Sequence, residues 1–123
     1  MANLDLLENS IPVAPLKLAA LPGSMEMAKK VDSYLVQFRK ELMEHRTNGI
    51  EVSFSGYSED SFLIDCECPR FGSGEAKGKI NESVRGADLY ILVDVCNYSI
   101  TYKVCGYENH MSPDDHYQDL KRI

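Results

Sequence analysis

Two short stretches carry the residue types that could do chemistry. Arg70-Phe71-Gly72-Ser73-Gly74-Glu75 places two glycines two apart beside an aromatic, a hydroxyl and a carboxylate. Such glycines let the backbone take positive φ and let a ligand come close, although a plain hairpin turn needs the same residues. Glu82-Ser83-Val84-Arg85-Gly86 is a polar corner with one cation, one hydroxyl and backbone amides, able to hold a phosphate. Its alternative is an Arg85–carboxylate pair that fixes the turn. Neither G-x-G-x-x-G opening a helix nor G-x-x-x-x-G-K-[ST] occurs, so the Rossmann fingerprint and the P-loop are excluded.

The remaining reactive residues are scattered. Cys66-x-Cys68, Cys96 and Cys105 lack the C-x₂-C spacing of a zinc knuckle and read as small buried hydrophobes. His110 and His116 flank Asp114 and Asp115, but acids at a helix start are explained by the helix dipole, so no metal site is expected. His45 stands apart. Asp94 ends an apolar strand, at the edge where open α/β sheets hold ligands, and also reads simply as a loop carboxylate in water.

The elements that must position these residues alternate. Residues 1–15, with Pro12 and Pro15, read as a flexible arm. Leu16–Leu21 is a first strand, buried on at least one face, stopped by Pro22-Gly23. Ser24 is the expected N-cap of a helix from Met25 to Glu44. Its apolar face is Met27, Val31, Leu35, Phe38 and Leu42, with Asp32 and Arg39 opposite, and Asn48-Gly49 ends it. Ile50–Tyr57 is ambiguous, Ser61–Cys68 is a strand, and Ala76–Asn81 is an exposed strand at an edge or in a protruding hairpin. Asp88–Val95 is a near-continuous apolar run, the pattern of a strand buried on both faces. Asn97–Met111 is Tyr-rich with a weak strand signal at Ile100–Val104. Ser112-Pro113-Asp114-Asp115 then starts a helix with Tyr117, Leu120 and Ile123 on its apolar face. That face forms at the last residue, as though the natural chain continues. The order implies an α/β domain over 16–123, with a mostly parallel sheet and covering helices.

Composition bounds the function classes. The chain has 123 residues, 44% hydrophobic and 26% charged, with a net charge of −6, enough for one domain with a core. The acidic balance argues against nucleic acid as a partner. No apolar run is long enough for a membrane span, and Met1–Pro15 lacks the basic start of a secretory signal. A cytoplasmic chain with reduced thiols is the expectation.

Arg70 to Asp94, RFGSGEAKGKINESVRGADLYILVD, resembles the N-terminal domain of ribose-phosphate diphosphokinases, the phosphoribosyl-pyrophosphate synthetases. The shared features are an R-F-x-[DN]-G-E-like turn, an E-S-[IV]-R-G corner and a buried strand, in that order. Ser24 to Leu35 adds weaker similarity, whereas Ile50–Asp60 and Cys96–Met111 look inserted, as in a divergent member. The resemblance implies a phosphoribosyltransferase-type, Rossmann-like sheet with flanking helices and a protruding β-hairpin loop. It implies that Phe71, Ser73 and Glu75 bind the adenine of ATP across a subunit interface. Phe71 would stack on the base and Glu75 would accept from the exocyclic amine. Ser73 departs from the family's Asp or Asn, which shortens its reach. Ser83 and Arg85 match the family's regulatory phosphate or ADP site.

The family's catalytic loop, metal-binding His and ribose-phosphate loop lie downstream and have no counterpart in this chain, so it holds no catalytic residue and should be inactive alone. For the whole protein the resemblance implies ATP and ribose 5-phosphate as substrates, Mg²⁺ carried with ATP mainly by the downstream domain, and a homo-oligomer, a hexamer built from dimers. The alternative is a non-catalytic partner of a synthetase, an oligomerisation or regulatory protein, which the inserts and Ser73 would suit.

Overall fold

The computed structural model describes residues 13–45 and 60–123. The chain runs β1 (Leu16–Ala20), α1 (Met25–His45), β2 (Cys66–Glu67), β3 (Lys79–Ile80), β4 (Asp88–Leu92), β5 (Thr101–Val104), β6 (Tyr107–His110) and α2 (Pro113–Arg122). Most of the expected arm and insert, residues 1–12 and 46–59, and the helix stop at Asn48-Gly49, lie outside the described residues.

β1 is the centre. It pairs in parallel with β4, Leu16 opposite Asp88 through Ala20 opposite Leu92. On its other edge Leu18 N–H donates to Phe62 O and Ile64 N–H donates to Leu18 O, both at 2.8 Å, a parallel bridge to Leu63. A strand with neighbours on both edges can bury both faces, and Leu18, Ala19, Ala20 and Leu21 are all buried. Ala28, Phe62, Ile64, Ala76 and Met111 complete the core.

α1 docks on a different stripe from the one its apolar spacing predicts. Met27 is 62% exposed, whereas Ala28 is fully buried. Asp32, expected on the outer face, accepts from Phe62 N–H at 2.6 Å and from Ser61 Oγ at 2.8 Å. Arg39 lies over the Phe62 ring, 5.2 Å from its centroid. A helix of 21 residues spans about 31 Å, against about 17 Å for a five-residue strand, so nearly half of the helix extends past the sheet. The apolar side chains Val31, Tyr34, Leu35 and Phe38 line an open groove. Ser24 stands at the helix start, with its carbonyl accepting from Ala28 N–H, but its buried hydroxyl has no partner and does not cap.

β4 is also less covered than its composition predicts. Tyr90 is 62% exposed and only Leu89, Ile91 and Leu92 are half-buried. Among the described residues β4 pairs with β1 alone, so one edge and one face stay open.

Two antiparallel ribbons complete the domain. The first joins β2 to β3, and its ladder continues through a bridge between Arg70 and Ala76 to the Phe71–Glu75 turn. The second joins β5 to β6 through Cys105-Gly106, where both residues have positive φ, 49° and 87°, as a type I′ turn requires. Only β5 of this pair had a sequence signal. β6 is exposed at every residue, so no alternation marks it.

The cysteines are free thiols, but burial does not explain all four: Cys96 and Cys105 are exposed, and Cys66 and Cys68 are half-buried. Both exposed thiols sit in turns, where there is no core to enter.

Candidate functional site

The Phe71–Glu75 turn is built from local bonds. Phe71 N–H donates to Glu75 O at 2.9 Å, and Gly74 N–H donates to Phe71 O at 2.8 Å. Gly74 takes the left-handed position at φ 89°, as the third residue of such a loop must. Gly72 does not have positive φ, which corrects the expectation for that glycine. Phe71 is 53% exposed, and Ser73 and Glu75 are also exposed. The three side chains therefore stand on one turn facing solvent.

Beneath them lies a buried polar cluster that the sequence pattern did not reveal. Arg70, with a side chain 6% exposed, donates from Nη1 to Gly74 O at 3.0 Å and to Gln118 Oε1 at 2.9 Å. Its Nη2 donates to Asp115 O at 2.9 Å and to Asp119 Oδ1 at 2.7 Å. The guanidinium lies over Tyr102 of β5, 4.5 Å from the ring centroid. Gln118 Oε1 also accepts from Ala76 N–H at 2.9 Å. The base of the turn is thus fastened to α2 and to the β5–β6 ribbon at once.

α2 is positioned by its start. Ser112 Oγ accepts from Asp115 N–H at 3.2 Å, and Asp115 Oδ2 accepts from Ser112 N–H at 2.9 Å, a reciprocal capping box with Pro113 in the first turn. The face it buries is polar, His116 and Asp119, rather than the expected Tyr117, Leu120 and Ile123; Tyr117 is 49% exposed. The reason is that this face meets Arg70 and the Asn97 carbonyl, which is 2.7 Å from His116 Nε2. Asp115, Gln118 and Asp119 recur at helical spacing on one face, whose Arg122 turns to Glu75 instead. That run of acceptors was the available sign of a buried basic partner.

The electrostatics follow the geometry. Burial works upward on the Asp115 carboxyl, but bonds from Ser112 and Tyr102 and the Arg70 charge outweigh it, so it lies below its usual value. Burial pushes Asp119 up, against the opposing pull of Arg70 and His116. Burial, with the Asp115 charge next, raises the Tyr102 phenol. Burial and the Asp119 charge push the Cys68 thiol up to about 11, leaving it protonated and unreactive.

Glu75 is engaged by Arg122 of α2 at 2.8 Å, an exposed pair. The second candidate group lies elsewhere, on the corner between β3 and β4. Ser83 and Arg85 are exposed, and among the described residues Arg85 makes no ion pair. The corner is held instead by Glu82, which accepts from Lys17 Nζ and Asp65 N–H, both at 3.3 Å, and by Ala87 N–H donating to Val84 O with Gly86 at φ 75°. No hydrogen bond or ion pair among the described residues joins this corner to the Phe71–Glu75 turn. Asp94 accepts from Cys96 N–H at 3.2 Å and closes an exposed turn. No group of three His, Cys, Asp or Glu that could hold a metal occurs among the described residues, nor is any helix there long and apolar enough to cross a membrane.

Parallel strands about β1, two helices and an exposed turn backed by a buried cation define an α/β domain. The family model for the N-terminal domain of ribose phosphate pyrophosphokinase matches residues 16–123, and the chain belongs to that family. No curated protein and no solved structure matches it.

Proposed function

We propose that the chain is the nucleotide-holding part of an active ribose-phosphate diphosphokinase. In that reaction the 1-hydroxyl of ribose 5-phosphate attacks the β-phosphorus of ATP. The bond from that phosphorus to the α–β bridging oxygen breaks, AMP leaves, the hydroxyl proton is released, and phosphoribosyl pyrophosphate forms. Phe71 stacks on the adenine, and Ser73 and Glu75 bond its edge. Ser83 and Arg85 take a regulatory phosphate at the second corner. What supports this reading is the match over 16–123, joined to the exposure of Phe71, Ser73 and Glu75 on a turn whose backbone is pinned from below.

Mg²⁺ enters with ATP, where it neutralises the charge of the polyphosphate. The working protein is a cytoplasmic homo-oligomer, a hexamer built from dimers, whose downstream domain supplies the catalytic loop. The purified full-length protein, given ATP, ribose 5-phosphate and Mg²⁺, is expected to release AMP and phosphoribosyl pyrophosphate one for one by phosphorus NMR. Phe71→Ala should raise KM for ATP about tenfold or more, the worth of one base–aromatic stack.

A second reading has two observations in its favour. Glu75 is already paired with Arg122, and Ser73 is short, which suits a non-catalytic synthetase partner. That reading requires no product from a folded protein that still associates with a synthetase.

A further inference from the structure

The side chains on the Phe71–Glu75 turn are exposed, while the backbone at and just past it is held at three places, two of them by parts of the chain distant in sequence. Arg70 Nη1 holds Gly74 O at 3.0 Å. Cys105 N–H, at the tip of the β5–β6 ribbon, donates to Gly72 O at 3.0 Å. Gln118 Oε1 holds Ala76 N–H at 2.9 Å, just past the turn. The ribbon also presses on the tip, since a Cβ at Gly74 would lie 2.8 Å from Val104 Cγ2. Exposed side chains on a fixed backbone, Glu75 among them already paired with Arg122, make a preorganised binding surface, because little ordering remains to be done when a ligand arrives.

We propose that Arg70, stacked on Tyr102 and bonded to α2, is the positioning residue that sets the Phe71–Glu75 turn for an adenine ring. The inference rests on the reading of that turn as the adenine site and deepens it. Arginine is required because one planar fork makes four bonds in two directions while its face rests on an aromatic ring. A lysine has neither the fork nor the face. Tyr102 contributes its ring to Arg70, and its hydroxyl donates to Asp115 Oδ1 at 3.2 Å. Neither residue touches the nucleotide; both act through the direction in which Phe71 projects.

The experiment is a set of calorimetric titrations on the intact protein, with the α,β-methylene analogue of ATP plus Mg²⁺ and, separately, with ribose 5-phosphate. Tyr102→Leu and Arg70→Lys should weaken the nucleotide analogue about tenfold and leave ribose 5-phosphate unchanged. Tyr102→Phe, which keeps the ring, should bind both as the parent does and confirms that the ribbon tolerates change. In the Phe71→Ala background Tyr102→Leu should cost nothing more, because a positioning residue has no effect once its target is gone. Losses that add in the double variant, equal weakening of both ligands, or undiminished nucleotide binding in Tyr102→Leu and Arg70→Lys would overturn the positioning role while leaving the adenine site standing. If Phe71→Ala binds the analogue as tightly as the parent, or if the parent does not bind it, the adenine site itself falls and the positioning role falls with it.

Discussion

Arg70 neutralises a carboxylate that would otherwise be buried alone, since Asp119 is 2% exposed and bonds it at 2.7 Å. Replacing such a pair by matched apolar groups is often harmless, but removing one member leaves an uncompensated charge, at a cost of about 3–5 kcal/mol. Arg70→Ala is therefore expected to lose that much in urea unfolding, enough to threaten a domain of ordinary marginal stability. Asp115 provides a pH signature. Its folded value is depressed, so its stabilisation is complete above the unfolded carboxylate value of about 3.9 and is lost as pH falls through the folded one. Asp119, whose value is raised, runs the other way: its contribution is present at low pH and fades as pH rises through the folded value. Asp115→Asn should therefore cost most at neutral pH, and its stability gap from the parent should close below about pH 4 in urea melts across pH. Phe71, Ser73 and Glu75, the proposed adenine contacts, lie close together in the chain and so form a motif that a sequence can display. Arg70 could not be paired in the same way, because its partners are 45 to 49 positions away and only folding brings them together.

At the scale of elements, the strands that alternate or run apolar were legible, and so was the start of α2, whose Ser-Pro-Asp-Asp signature became a full capping box. β6 and the docking face of α1 were not. β6 buries nothing, so hydrophobic periodicity has nothing to report. α1 turns Asp32 toward the strand because two donors at Ser61 and Phe62 await it, and pattern reasoning counts a carboxylate as outward. The contact between the β5–β6 ribbon and the turn can be probed at Gly74. Alanine there would have to take φ near 89° and meet Val104, and should destabilise the domain by about 1–3 kcal/mol. Gly72→Ala has open space and no positive φ, so the same urea melts should show a much smaller loss.

For the whole molecule, β1 collects parallel neighbours on both sides and the family match spans 16–123, so the architecture and the family agree. Chain order made the α/β class readable, because strands separated by helices favour parallel pairing. The way α2 and the two ribbons converge beneath the turn was not readable, since it depends on side-chain bonds between segments with no sequence periodicity in common. The proposed adenine site extends that convergence to the entire domain: the ring would rest on Phe71, held by structure from the far end of the chain. Photolabelling of the intact protein with 8-azido-ATP and Mg²⁺, followed by peptide mapping, tests it most directly. The account predicts label on the peptide containing Phe71–Glu75, suppressed by excess ATP and lost in Phe71→Ala. ATP-protected label confined to another part of the chain, with that peptide unmodified, would contradict it.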